Sequence, residues 1–331
     1  MVLMVSRAVE KPLAAWMGKD RIGSDIGKSL TIILKSGGCR YNRCRMCGYR
    51  FERYHAIDKD ELTRKMLAQV QWVEEEYRSE EYDIVKIFTS GSFFDSVEVP
   101  SAVRDRLGSL MKGKIVIAET RPEYVTSDEI SRFSDLIDTG DHQMPLYVAM
   151  GLETSDDRIR EKSIEKGFSF ADFIRASTVA HDHGVGVKSY LMMKPLFLTE
   201  QEAVNDMKRS IADCAPYSDL ISMNLCTVQK RTELEYYWKR GAYRPPYLWS
   251  ALMVLLQSDE RVSCDPVGGG FIRGPHNCGT CDYDIKKALD DYSLSFDRRL
   301  LQQVFEKECR CREEWEYVLL HEKPWCMPLT R

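Results

Sequence analysis

Six apolar, strand-like runs alternate with helix-period segments along this chain, and that alternation limits the fold more than any other feature. The strand-like runs fall at 30–34, 83–89 (DIVKIFT), 114–120 (KIVIAET), 146–153 (LYVAMGLE), 186–193 (GVKSYLMM) and 219–225 (DLISMNL). Helical periodicity fills the gaps at 59–78, after Pro100, and at 127–137, 170–182 and 200–213. A strand-helix-strand repeat of this length predicts an α/β fold on a parallel sheet, as an open doubly wound sheet or a full or partial barrel. In either form the functional side chains gather at the C-terminal ends of the strands.

The first of those ends carries three cysteines. Cys39, Cys44 and Cys47 follow the run 30–34 and a Gly37-Gly38 turn in the string GGCRYNRCRMCGY. Three thiolates in one loop can hold a four-iron cluster and leave its fourth iron to a ligand that is not protein. That vacancy is what binding and one-electron cleavage of S-adenosylmethionine require. The same loop also suits a structural zinc knuckle, for which His55 is the nearby candidate fourth ligand.

Composition narrows the setting. Eleven cysteines without an export signal argue for metal or redox chemistry in a reducing compartment rather than a disulfide framework. The N-terminal stretch MVLMVSRAVEKPLAAW is broken by Arg7, Glu10 and Lys11, so it lacks the uninterrupted apolar region of a secretory signal. No apolar run reaches membrane-spanning length, and a cytoplasmic location with no membrane partner is expected. A net charge of −4 offers nucleic acid no global attraction, so any RNA contact needs a local basic patch or a partner.

The other strand ends are polar. Thr89-Ser90-Gly91-Ser92 follows the second run, Glu119-Thr120-Arg121-Pro122 the third, and Gly151-Leu152-Glu153-Thr154 the fourth. Small side chains and open backbone at Ser90–Ser92 can receive the ammonium and carboxylate of an amino acid. Glu119 and Glu153 can accept from an ammonium or from ribose hydroxyls, and Lys166 can pair with a carboxylate. Each alone reads equally as a solvated strand end; their coincidence with the cysteine loop points to a cofactor site.

With those residues in place the sequence resembles the radical S-adenosylmethionine enzymes, in the branch of the Elongator catalytic subunit and the coproporphyrinogen dehydrogenases. Four residues separate Cys39 from Cys44 where three are usual in that family. The strings FTSGSFFDSVEVP (88–100), ETRPEYV (119–125), GLETSDDRIR (151–160), MNLCTVQKRTELE (223–235), YRPPYLWS (243–250) and RGPHNCGTCD (273–282) are similar to the archaeosine synthase beta subunits. The resemblance implies a partial (β/α)6 barrel over 28–255, an N-terminal extension over 1–27, and a small cysteine-rich, metal-binding extension over 256–331. It implies a carbon-nitrogen lyase of transfer-RNA modification. A lysine-installing alpha subunit adds lysine to a cyano-deazaguanine in the D-loop, and the radical enzyme breaks the carbon-nitrogen bond on the lysine side to leave archaeosine. Carried onto this sequence, Cys39, Cys44 and Cys47 hold the 4Fe-4S cluster, and Met46 contacts adenine. Ser90, Gly91 and Ser92 hold the methionyl group, and Glu119, Glu153 and Lys166 bind its polar groups or the ribose. An electron donor is implied as well. Another transfer-RNA-modifying radical enzyme and a non-catalytic zinc or RNA-binding adaptor remain as alternatives.

Two further groups of residues stand out. Cys278 and Cys281 form a CxxC, and Cys309 and Cys311 a CxC about thirty residues later. Together they predict a tetrahedral zinc site that staples a segment with little core of its own, with Cys264 or His276 as possible substitutes. A second iron-sulfur cluster and free thiols are the alternatives. Cys214 and Cys226 read as buried small residues, and Cys326 has no evident partner. Around the first cysteine loop, Arg40, Arg43, Arg45, Arg50 and Arg53 interleave with Tyr41, Tyr49 and Tyr54. Arg50 and Arg53 are candidate contacts to transfer RNA; the set reads equally as charge compensation for the thiolates.

Overall fold

The computed structural model describes residues 10–55 and 57–323, so the tail cysteine Cys326 lies outside the described residues. One sheet of eight strands runs in chain order: β1 (Ala14–Ile22), β2 (Asp25–Ile33), β3 (Ile84–Phe88), β4 (Ile115–Thr120), β5 (Leu146–Glu153), β6 (Gly186–Met193), β7 (Leu220–Leu225) and β8 (Val262–Asp265). β1 and β2 form an antiparallel hairpin; every later pair is parallel. The six strands expected from the apolar runs are β2–β7, and the sheet curls into an open half-barrel. β1 and β8 extend it on either side, so both flanking stretches of the chain contribute a strand.

The helices are α1 (Lys59–Glu76), α2 (Ser101–Leu110), α3 (Ser127–Ile137), the single turn α4 (Asp157–Ile159), α5 (Phe170–Asp182), α6 (Glu200–Cys214), α7 (Glu233–Trp238), α8 (Leu248–Gln257), α9 (Asp282–Ser295), α10 (Arg298–Phe305) and α11 (Cys311–His321). None of them is long and apolar enough to cross a membrane. In α1, Leu62, Met66, Val70 and Val73 recur at helical spacing and are buried against the outer face of the sheet, where Leu30, Ile32, Val85 and Ile87 are also buried. Each such side chain contributes about 1.5–3 kcal/mol of burial. α5 and α6 start at capping boxes, Ser169 with Asp172 and Thr199 with Glu202, which fix where the crossovers turn back.

Strand alternation then sorts the remaining residues. While Leu30 and Ile32 face the helices, Thr31 and Ile33 face inward, as do Lys86 and Phe88, Glu119, Gly151, and Lys188, Tyr190 and Met192. They line a cavity of about 860 Å³ inside the half-barrel. Near the open edge Arg21 of β1 donates to the Leu294 carbonyl at 2.9 Å, bringing the end of α9 against the hairpin.

The C-terminal helices are tied to the end of β6. Lys194 Nζ lies 2.8 Å from Glu200, which also accepts from the Tyr247 amide at 2.9 Å and the Ser250 hydroxyl at 2.6 Å. Trp315 of α11 donates to that hydroxyl at 2.8 Å and is buried.

Candidate active site

The cysteine loop leaves β2 through Gly38, at a φ of 84° that favours glycine, with the Ser36 hydroxyl accepting from its amide at 3.1 Å. A Cβ at Gly38 would strike the Arg53 side chain, which closes over the turn. The loop after β3 is stapled to it by one carboxylate. Glu98 accepts from the Arg40 amide at 2.8 Å and from the Ser92 amide, and Gly37 donates to the Glu98 carbonyl at 3.0 Å. Burial pushes the Glu98 carboxyl up to about 7, against those amides. At Gly91 a Cβ would overlap the Glu98 carboxylate and sit 2.7 Å from Cys39 Cα. Only glycine lets the two loops approach this closely.

The far end of the loop is held separately. The Arg45 amide donates to Ile164 at 3.0 Å, its guanidinium pairs with Glu233 at 2.7 Å, and the Gly48 amide donates to Gln229. Met46 is buried with Cys226, whose sulfur lies 3.9 Å from the Met46 sulfur. Cys214 and Cys226 are both buried, as expected.

Cys39, Cys44 and Cys47 all open on the cavity, together with Met46, Ser90, Gly91, Glu119, Glu153 and Lys166. Ser92 does not: it lies fully buried behind the loop, its hydroxyl accepting from the Arg121 amide at 3.3 Å. Glu153 reaches the cavity because the register of β5 shifts between Gly151 and Glu153, with Glu153 at a φ of 66°. Lys166 Nζ meets Glu153 Oε1 at 2.6 Å. Burial would lower the Lys166 ammonium, but Glu153 holds it above its ordinary value. Burial pushes the Cys44 thiol up to about 11, with Lys166 opposing. Glu119 has no side-chain hydrogen bond or ion pair among the described residues, and burial pushes it up to about 7.

Sequence reasoning passed over several residues of this site. Glu98 sits inside the string 88–100 without a visible signal, because its role depends on two loops meeting. Arg121 lines the cavity with its guanidinium over Tyr41 at 4.4 Å and over Phe168 at 5.3 Å. Tyr190 and Lys188 are charged or polar residues in the middle of β6.

These residues fit a four-iron cluster with S-adenosylmethionine. The thiols all open on one cavity, the glycine cradle at Gly91 is sterically required, and an unpartnered carboxyl and a cation stand beside them. Among the described residues these three cysteines form no compact group of the kind a single metal ion needs. His55, at the surface, joins no such group either.

The C-terminal cysteines behave oppositely. Cys278, Cys281, Cys309 and Cys311 place their sulfurs within 4.8 Å of one another. Cys278 lies 3.7 Å from Cys309 and 4.0 Å from Cys281; Cys311 lies 3.6 Å from Cys281 and 3.4 Å from Cys309. A tetrahedron with metal-sulfur bonds of ~2.3 Å has edges of about 3.8 Å, so the spacing suits one metal ion. A four-iron cluster holds its thiolates further apart, one on each iron. The Trp249 indole donates to Cys311 and the Asn277 amide to Cys281, both at 3.3 Å, which orients the thiols. Cys264 is buried on β8 and His276 bonds the Gly274 carbonyl at 2.8 Å; neither belongs to the group.

No family model matches the chain. It is 40% identical over 321 residues to the archaeosine synthase subunit beta of Methanosarcina acetivorans, covering 93% of this chain and 90% of that one. It is 35% identical over 323 residues to the archaeosine synthase subunit beta of Thermococcus kodakarensis, covering 92% and 95%. Among solved structures, the archaeal Methanocaldococcus infernus Elp3 with an N-terminal deletion superposes with a TM-score of 0.48 at 18% identity, over 70% of this chain and 59% of that one.

Proposed function

The chain belongs to the archaeosine synthase subunit beta family, and from that premise we propose that it is a radical S-adenosylmethionine enzyme of transfer-RNA modification. The reaction proposed is cleavage of the carbon-nitrogen bond on the lysine side of an amidine carried by a deazaguanine in the D-loop, leaving archaeosine. The observation that carries this reading is the opening of Cys39, Cys44 and Cys47 onto one cavity with Ser90, Gly91, Glu119, Glu153 and Lys166.

When bound, the 4Fe-4S cluster and S-adenosylmethionine supply one-electron cleavage of a sulfonium and hydrogen-atom abstraction from the substrate. The chain's own residues do the holding. Cys39, Cys44 and Cys47 provide the thiolates, and Glu98 fixes the loop that carries Cys39 against the backbone of Gly91 and Ser92. Ser90 and Gly91, where they line the cavity, receive an amino-acid head group. Ser92 serves from behind, by its hydrogen bonds to Glu98 and Arg121. Glu119, lacking a partner, accepts from an ammonium or a ribose hydroxyl, and the Lys166–Glu153 pair presents one charge of each sign to the cavity. Met46 gives an apolar wall for a purine.

Arg50 borders the cavity, and its guanidinium and that of Arg231 lie 5.0 and 5.6 Å from the exposed Phe51 ring. That cation-aromatic group at the mouth suits the phosphate and unstacked base of a transfer-RNA nucleotide. The lysine-installing alpha subunit is the proposed partner, a separate protein the proposed electron donor, and zinc the proposed occupant of the C-terminal cysteines.

An anaerobic assay with reductant, S-adenosylmethionine and lysine-adducted transfer RNA tests the reading. Archaeosine in the digested nucleosides, with deoxyadenosine formed alongside, is expected. Deoxyadenosine without archaeosine contradicts the substrate; neither product from an iron-loaded chain contradicts the class.

A further inference from the structure

Deeper in the half-barrel, away from the cysteine loop, the same cavity is lined by charges of both signs. Lys86 of β3 and Asp20 of β1 are paired at 2.6 Å, and the Ser29 hydroxyl donates to Asp20 at 2.6 Å. Lys188 of β6, half-buried, and Asp265, exposed at the cavity's open side on the edge strand β8, also line the cavity, but neither makes a hydrogen bond or an ion pair through its side chain among the described residues. The ammonium of Lys188 has only the Tyr190 ring, at 5.2 Å from its centroid.

An ammonium placed inside a protein without a carboxylate or hydrogen-bond acceptor is costly. Burial pushes Lys188 down to about 8, with Asp20 opposing and Lys86 adding to the repulsion; burial likewise raises Asp265. Lys188 and Asp265 thus line one cavity without closing into a pair. A ligand bearing one anionic and one cationic group fills such a gap and completes both. Lys86 and Lys188 stand here with Asp20, Asp265 and Asp290, so a phosphate or another simple anion meets repulsion as well as attraction. A zwitterion does not.

We propose that Lys188 and Asp265 form a receptor for the α-amino-acid end of a ligand, with its carboxylate against Lys188 and its ammonium against Asp265. The Lys86–Asp20 pair sets the polarity of the site. Resting on the lysine-cleavage reading above, the ligand is the lysine portion of the substrate, whose α-carbon end is zwitterionic while its other end joins the base. Strand geometry supports this placement. Lys188, Tyr190 and Met192 form one inward file on β6, and Met192 packs against the apolar cluster that contains Met46 of the cysteine loop. Four residues of strand rise, about 13 Å, separate Lys188 from that end, room for an extended lysine chain.

Calorimetric titration of the full chain with L-lysine, 6-aminohexanoate and cadaverine tests the receptor directly. The second ligand lacks the α-ammonium and the third lacks the carboxylate. Lysine is expected to bind at least about tenfold more tightly than either. Lys188→Met and Asp265→Asn should each weaken lysine at least about tenfold, and Lys188→Met should leave cadaverine unchanged. Wild-type protein that binds all three alike, or fails to bind lysine, overturns the receptor without recourse to any variant. Archaeosine formation with lysine affinity equal in wild type and both variants overturns the receptor while the lysine-cleavage reading stands. Tight, Lys188-dependent lysine binding without archaeosine from adducted transfer RNA removes that reading and keeps the receptor.

Discussion

Lys166 Nζ and Glu153 Oε1 meet 2.6 Å apart above Gly151, and a Cβ on that glycine would lie 2.7 Å from the ammonium and 2.9 Å from the carboxylate. The pair therefore stands where it does because position 151 carries no side chain. Gly151→Ala should displace the flexible end of Lys166 and weaken S-adenosylmethionine binding several-fold, with a small change in melting temperature. Equilibrium dialysis beside thermal unfolding checks it; unchanged affinity removes the pair from the cofactor site.

Gly91 is a harsher position. Its Cβ would meet the Glu98 carboxylate and Cys39 Cα, backbone that cannot swing away. Gly91→Ala should destabilise the chain by about 1–3 kcal/mol and lower the iron retained after anaerobic reconstitution. Iron content and denaturant unfolding measure both effects.

The parts of this fold that local patterns determine were legible in the sequence. The runs at 146–153 and 186–193 are β5 and β6 as they stand, and the periodicity at 127–137 and 170–182 is α3 and α5. β1 carries no strand signal of its own, because Gly18, Lys19, Asp20 and Arg21 interrupt its apolar pattern and its stability comes from pairing with β2. β8 spans only Val262–Asp265, too short for periodicity to register. The site divides the same way. Cysteines, glycines and strand-end carboxylates announce themselves by type and spacing. Glu98, Lys188 and Asp265 do not: Glu98 acts only where two loops meet, and a charged residue in a strand, as Lys188 and Asp265 are, reads as solvent-facing until the sheet curls and makes that face the wall of a cavity.

Glu119 makes a pH-dependent prediction. Its carboxyl is raised to about 7 in the folded chain from an ordinary value near 4.5, so between those limits the folded state binds more protons than the unfolded. Stability should fall as pH rises from ~4.5 to ~7, by no more than about 3 kcal/mol from this group. Glu119→Gln should make that part of the profile shallower, leaving the share of Glu98. A cationic ligand beside Glu119 favours the carboxylate, so S-adenosylmethionine binding near pH 6 should release a proton, detected by calorimetry in two buffers of different ionisation enthalpy. The release should vanish in Glu119→Gln.

Arg50 and Arg53, alike in sequence, should behave differently. Arg53 folds over Gly38, its Cβ 2.7 Å from where a Cβ at Gly38 would stand, so Arg53→Ala should loosen the cysteine loop and lower iron retention. Arg50 borders the cavity beside Phe51, so Arg50→Ala should weaken transfer-RNA binding and reduce its salt slope by about 1 without loss of iron. Binding measured over a salt series separates the two.

The C-terminal cysteines stand apart from the chemistry. Cys281→Ser should abolish bound zinc and lower the melting temperature, because the four thiols join the loop at Cys278 and Cys281 to α11. Metal analysis with thermal unfolding checks this, and unchanged zinc with unchanged stability refutes it.

Cys39, Cys44 and Cys47 are proposed to hold the cluster from which S-adenosylmethionine is cleaved. Deoxyadenosine formed by anaerobically reconstituted Cys44→Ala, beside wild type and with iron counted in both, tests it most directly. About four irons per wild-type chain are expected, with their loss in the variant and no deoxyadenosine from a variant that remains folded. Deoxyadenosine at the wild-type rate from Cys44→Ala would contradict it.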